Sequence, residues 1–337
     1  MAGGPEENKK RLILSSSAII GGWGDIKTMT RFLFQRVGLA LLSIWAVCTI
    51  TFFIAYLAPG DPAELAAGQH SDPVTLAHIR HEFGLDKPPM TRYGLYLWNA
   101  AHGDLGESYH DHEPVTAFLK RGLPNTALLA TAAIAVALLV GIPMGLLAAS
   151  KPNSFLDRSL MATVLVGVTL PSFVLAPVLI GIFALKLGWL PVAGWGAPEY
   201  LVLPAIVLAA RPAALIARMT RASMLETLRQ DYIRTARAKG LSPATVLVKH
   251  ALKNAFLPVL TTTGVSLGYL LSGSFVVETI FTVPGVGAQS VSSVFDRDYP
   301  VIQGTTLLLA AIFVVTNLVI DLLSAALDPR VKSLEAS

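Results

Sequence analysis

Six of the seven histidines fall in one stretch, at His70, His78, His81, His102, His110 and His112. His78 and His81 are three apart and would share a face on a helix, while His110 and His112 flank Asp111. Neutral imidazoles at such spacing can bind nickel or zinc. Glu82, Glu107, Asp111 and Glu113 beside them suit a metal site or a solvated polar loop equally well. The solvated loop is the plainer reading, so no metal ligand is assigned. Ser, His and Asp all occur, yet no spacing singles out a nucleophile with its base. No GxxxxGK[ST] run cradles a phosphate. The single cysteine, Cys48, excludes an internal disulfide, a thiolate metal site and a CxxC redox pair. The residue types therefore yield no catalytic and no cofactor-binding residue.

The frame that carries these groups is apolar. Of 337 residues, 53% are hydrophobic and 14% charged, against roughly 25% charged in soluble domains. A hydrocarbon core ~30 Å thick needs about 20 apolar helical residues. Runs of that length predict spans over about Val37–Leu57, Ala127–Ala149, Leu160–Leu185, Leu201–Met219, Phe256–Val277 and Ile302–Leu327. The first ends at Ala58-Pro59-Gly60-Asp61-Pro62, a strong helix stop. Pro171 and Pro177 lie inside the third span and Pro212 inside the fourth, which is tolerated where neighbouring helices re-satisfy freed carbonyls. The fourth helix is expected to run past the membrane. Gly264/Gly268 and Gly141/Gly145 form GxxxG pairs that let backbones approach closely. The fold class is all-α, a polytopic membrane protein with about six transmembrane helices.

Arg211 and Asp321 are the ionisable groups placed within these spans. A charge there costs roughly 2.5–3.5 kcal/mol on insertion scales and normally faces the bundle interior. At 1.5 Å per residue both lie about 9–12 Å from the same ends of their helices. An intramembrane ion pair between them is one expectation, and separate snorkelling is the other.

Lys and Arg counted in alternate connections come to eighteen on one side and seven on the other. The positive-inside rule then puts both termini in the cytoplasm. Leu12–Ile20 is too short to span and lacks a signal-peptide core. Residues 1–28 are read as a tail that is either poorly ordered or artificially added ahead of Met29.

The richest connection is the stretch from Arg218 to Asn254, with eight basic residues. Helical periodicity continues through Met224, Leu225 and Leu228. A short helix follows over Tyr232–Lys239, stopped by Gly240 and Ser242-Pro243. Such a helix suits docking to a soluble partner with an acidic groove. It equally suits an interfacial helix held by anionic headgroups.

The order of motifs goes further. Tyr232-Ile233-Arg234-Thr235-Ala236-Arg237-Ala238-Lys239-Gly240-Leu241, followed by His250-Ala251-Leu252-Lys253-Asn254-Ala255, resembles the signature loop of permease subunits of binding-protein-dependent ABC importers. Arg234-Thr235-Ala236 stand where the wider superfamily has a Glu-Ala-Ala triplet, and Leu252 is followed by Lys253. Those departures are similar to the first permease of the dipeptide/oligopeptide/nickel branch. Ala58–Pro62, Gly84-Leu85-Asp86-Lys87-Pro88 and Gly103-Asp104-Leu105-Gly106-Glu107-Ser108 resemble that branch as well. So do Val277-Glu278-Thr279-Ile280-Phe281 with Pro284-Gly285-Val286-Gly287, which look like its re-entrant segment. Arg297–Gly304 and Leu327-Asp328-Pro329-Arg330 complete the series.

The resemblance implies a type I ABC importer permease fold in the inner membrane of a prokaryote. It divides the chain into a first transmembrane helix at 29–58, an extracytoplasmic segment at 59–122, a permease core at 123–330 with a coupling loop at 220–254, and a tail at 331–337. It implies a second homologous permease, two ATP-binding subunits that hold ATP and Mg, and an extracytoplasmic solute-binding protein. Tyr232, Arg234, Thr235, Ala236, Arg237, Ala238, Lys239, Gly240 and Leu241 are then the ATPase-coupling residues, and Asp296, Arg297 and Asp298 form an outer gate or binding-protein contact. The implied cargo is di- or oligopeptide. Nickel or a metallophore is the alternative within the branch, and a secondary transporter or membrane enzyme lies further off.

Overall fold

The computed structural model describes residues 34–58, 60–67 and 72–327. The N-terminal tail, Met29, Pro59, His70, Asp328-Pro329-Arg330 and residues 331–337 lie outside them. Among the described residues the chain is helical, and its only bridge joins Glu107 to Pro114. Helix α1 is Phe34–Leu57. Three short helices follow, α2 (Pro62–Ala67), α3 (Pro73–Glu82) and α4 (Pro89–Ala101). Each has proline at its start, where the missing N–H removes no intrahelical bond.

Helix α5 (Val115–Ser150) has 36 residues. At 1.5 Å per residue it reaches ~54 Å, so it overshoots a ~30 Å core and projects from it. The expected third span is not one straight rod. Helix α6 (Phe155–Thr169) and the segment Ser172–Lys186 are bent by 106°. The latter comprises α7 (Ser172–Leu179) and a π-helical turn, Ile180–Lys186. Pro171 disfavours a helical Leu170, which is extended at ψ 117°.

Helix α8 (Pro198–Thr227) continues beyond Met219 and leads to α9 (Asp231–Ala238). Next, α10 (Pro243–Thr245), a π-helical stretch (Val246–Leu252) and α11 (Lys253–Gly273) run on from one another. Two short helices, α12 (Phe275–Ile280) and α13 (Val286–Phe295), precede α14 (Tyr299–Leu327).

The core forms where α5 and α8 cross. A Cβ added at Gly141 would stand 2.7 Å from the Ala213 carbonyl oxygen, and one at Gly145 2.5 Å from that of Ala217. Both glycines therefore set the interaxial distance. At the other pair, a Cβ on Gly264 would meet Ile320 of α14 at 2.5 Å. That contact is with a side chain, which can give way more easily than backbone. Leu129, Ala133, Leu203, Ile216 and Val259 fill the space between α5, α8 and α11. Hydroxyls in apolar helices return to their own chain, as Thr131 does to the Ala127 carbonyl and Ser266 to that of Thr262. Exposed Leu39, Leu42, Ile50 and Ile54 on α1 face outward, as helices in lipid require.

Candidate functional site

Helix α9 is short and strongly two-faced. Ile233 is fully buried and Ala236 nearly so. Three residues apart, they lie on one face and join a cluster with Ala149 of α5, Met224 of α8, Val246, Ala251 and Ala255. Tyr232, Arg234, Thr235, Arg237, Ala238, Lys239, Gly240 and Leu241 are exposed. The nine expected coupling residues thus divide: Ala236 anchors the helix, and the other eight lie on its exposed, mainly basic side, where Arg234 pairs with Asp231 at 3.5 Å. Gly240 adopts φ +77°, a left-handed conformation that glycine takes at little cost. Its N–H bonds the Arg237 carbonyl, and the Leu241 N–H bonds that of Ala236, the paired bonds of a Schellman stop. Asn254 Nδ2 donates to the Tyr232 hydroxyl at 2.8 Å. Anchor, stop and strut make α9 a rigid body carried by α8 and α11.

The same end of the bundle holds a charge pair that the sequence did not advertise. Arg221 on the extension of α8 donates through Nε and Nη2 to both Asp157 oxygens, at 2.6 and 2.7 Å. Asp157 is buried, and its Oδ2 also accepts from the Asn153 N–H. This fork ties the α5–α6 turn to the stem of α9. Removing one partner of a fully buried pair costs roughly 3–5 kcal/mol, and the loss here lies below that range because Arg221 stays partly open to solvent. Asp157→Ala is expected to lower the thermal midpoint of the purified chain, and Asp157→Leu with Arg221→Met to recover part of the loss.

At the opposite end, the segment between α11 and α14 turns back into the bundle and is fastened by Glu278. This carboxylate is fully buried. Its Oε1 accepts from the Ser274 hydroxyl and, at 2.9 Å, from that of Thr126 on α5. Its Oε2 accepts from the Ala288 N–H at 3.0 Å. Thr126 Oγ1 in turn accepts from the Val286 N–H at 3.0 Å. Nearby, Asn125 donates to the Pro284 carbonyl at 2.8 Å and accepts from Trp195 Nε1 at 3.0 Å. Both Gly285 and Gly287 are required here, since a Cβ on either would fall within 3 Å of Glu278 Oε2. The sequence signal for this lock is a lone acid, Glu278, shortly before Pro284-Gly285-Val286-Gly287.

Several expected site residues lie elsewhere than anticipated. Asp321 pairs with Arg36 of α1, at 2.9 Å, while the Arg211 guanidinium lies over the Tyr269 ring at 5.4 Å. The expected Arg211–Asp321 pair is thereby corrected. Depth along two helices matched their heights, but a groove lined by Arg36, Ser43, Asn317 and Asp321 makes α1 the neighbour of α14. Asp298 is buried and accepts from the Ser108 hydroxyl and from the Tyr109 N–H, at 3.2 Å. It clamps the 102–114 loop to the start of α14 and is no surface contact. Asp296 and Arg297 are exposed, and Asp296 accepts from Ser292 at 3.2 Å. Among the described residues, two of the histidines take carboxylate partners of their own: His81 sits 2.9 Å from Asp86 and His110 3.0 Å from Asp111. The Asp111 bond raises the His110 pKa above its ordinary value. Among the described residues no three His, Cys, Asp or Glu side chains are placed to hold a metal ion.

With this geometry in hand, comparison with known proteins adds the lineage. Residues 141–333 match the family described as binding-protein-dependent transport system inner membrane component. Residues 29–130 match its N-terminal companion. The dipeptide transport system permease protein DppB of Bacillus subtilis (strain 168) is 40% identical over 305 residues, covering 90% of this chain and 98% of its own. The glutathione transport system permease protein GsiC of Escherichia coli O6:H1 is 39% identical over 304 residues, covering 90% and 99%. An inward-facing structure of the MetNI methionine ABC transporter superposes with a TM-score of 0.53 at 22% identity, over 63% of this chain and 96% of that one, a likeness of fold. A family match over more than half of the sequence, with relatives about 40% identical across nine-tenths of it, shows the lineage: the chain belongs to the inner membrane components of binding-protein-dependent transport systems.

Proposed function

We propose that this chain is one of two permease subunits in an ATP-driven importer of short peptides. Its termini and α9 face the cytoplasm, and the α2–α4 segment faces outward. Supporting the orientation are the eighteen basic residues on the α9 side against seven on the other. Supporting the cargo are the relatives, whose substrates by name are a dipeptide and glutathione, itself a peptide.

The observation that carries the mechanism is the exposed basic face of α9 above a fully buried Ile233. Two ATPase subunits, which bind ATP and Mg, dock on this face and its counterpart in the second permease. Closure of the ATPases pushes α9. Because α9 is locked to α5, α8 and α11 through one apolar cluster, it transmits the push as a rigid displacement rather than a local deformation. The outward cavity between the permeases then exchanges with the inward one. A solute-binding protein delivers peptide at the outer face, where Asp296 and Arg297 are exposed to meet it.

Deleting this chain should abolish uptake of a labelled dipeptide and leave nickel uptake unchanged. Loss of nickel uptake with intact peptide uptake would replace this reading with the metal branch. Purification of the tagged chain should bring down an ATP-binding subunit and a second permease. Uptake that persists without those subunits would identify a secondary transporter instead.

A further inference from the structure

A cavity of about 550 Å³ lies between the far end of α1, the α2–α4 segment and the start of α14. That volume falls inside the range of small-molecule sites, roughly 300–1,000 Å³. Its charges are only partly consumed by the fold. Asp61 is taken by Arg80, whose Nε donates to Oδ2 at 2.7 Å. Lys87, Arg92 and Glu82 also line the cavity, and among the described residues none of the three is in an ion pair. The Arg92 guanidinium carbon sits 5.9 Å from the Tyr56 ring centroid, a contact with the ring face that uses no N–H donor. The walls are aromatic, with Phe83 stacked on Tyr109 at 4.1 Å.

We infer that this cavity is a binding site for a short peptide, with Arg92 and Lys87 receiving its C-terminal carboxylate and Glu82 answering its ammonium group. The planar guanidinium presents two parallel donors that match a carboxylate, and a nearby ammonium adds charge without demanding geometry. A small inorganic anion fits less well: it would leave most of the volume empty and would meet the Glu82 carboxylate. A di- or tripeptide carries both charges and has a backbone that fills the space between aromatic walls. The identity of the ligand rests on the peptide-import reading, whereas the demand for a carboxylate rests on Arg92 and Lys87, neither of which is in an ion pair among the described residues.

The test uses the full-length chain in lipid nanodiscs and titrates it with dialanine, dialanine amide and inorganic phosphate. Dialanine should bind saturably. The amide, which lacks the carboxylate, should bind at least tenfold more weakly, and phosphate should not displace dialanine. Arg92→Gln should cost tenfold or more. Lys87→Gln, at an exposed position where folding is not at stake, should also weaken dialanine. Equal affinity for dialanine and its amide, no binding at all, or unchanged binding in both variants would overturn the inference, and efficient displacement by phosphate would reduce the cavity to a plain anion site. Uptake separates the two proposals. Saturable dialanine binding with peptide uptake intact in the deletion strain would fail the import reading and leave the site standing. Lost uptake with no dialanine binding would do the reverse.

Discussion

Replacing Gly145 with leucine is expected to collapse the central helix pair and to be the most damaging single change in the bundle. Even a methyl at this position would sit 2.5 Å from the Ala217 carbonyl oxygen and 2.6 Å from Thr220 Cβ. The first of these is backbone of α8, with no rotamer to relieve it. Overpacking a tight core costs typically 1–3 kcal/mol and occasionally more, and a leucine here belongs at or above the top of that range. At about 2–4 °C per kcal/mol for a chain of this class, the thermal midpoint in detergent should fall by roughly 10 °C, and membrane-inserted protein should be depleted. The same substitution at Gly38, whose Cβ position is open, should leave the midpoint unchanged. A Gly145→Leu chain that unfolds at the native temperature would mean that α5 and α8 do not cross here.

The second large effect is expected at Glu278. Glu278→Ala strands the Ser274 and Thr126 hydroxyls and the Ala288 N–H, all of which donate to the carboxylate. Each unsatisfied buried donor costs roughly 1–3 kcal/mol, so the re-entrant segment should lose its fixed position. Transport should drop more than tenfold while α9 stays docked, because the two sites lie at opposite ends of the bundle. Glu278→Gln keeps one acceptor oxygen but turns an NH₂ group toward one set of donors, and should give an intermediate rate. Dipeptide uptake in a deletion strain complemented with each variant measures both. Native rates in the alanine variant would show that Glu278 does not hold the segment.

Much of the frame was legible because lipid allows few backbone solutions: five long apolar helices and the bent α6–α7 pair lie where apolar runs of membrane length predict them. The elbow was legible for a related reason, since Ile233 and Ala236 are the apolar positions of a short basic helix closed by Gly240. What sequence could not supply was lateral arrangement. Counting residues put Asp321 at the height of Arg211, but only the packing of α1 against α14 delivers Arg36 to it. The resemblance implies an outer gate or binding-protein contact at Asp298, whereas packing gives it a partner, Ser108, that lies 190 positions away. The 106° bend at Pro171 escaped because a proline within a membrane helix is often absorbed by neighbours. Even the two glycine pairs differ for a reason that sequence hides: Gly141 and Gly145 meet backbone of α8, whereas Gly264 and Gly268 meet the side chains of Ile320 and Thr316.

On the reading proposed above, an ATP-binding subunit engages the exposed face of α9. Thr235 is exposed on that face, and the only native cysteine, Cys48, is buried, so Thr235→Cys introduces a uniquely accessible thiol. A photoactivated crosslinker attached there, in membranes containing the whole transporter, should capture an ATP-binding subunit, and ATP should change the yield. Crosslinks to lipid alone, or labelling of this thiol by an impermeant reagent added to the outside of intact spheroplasts, would contradict the account.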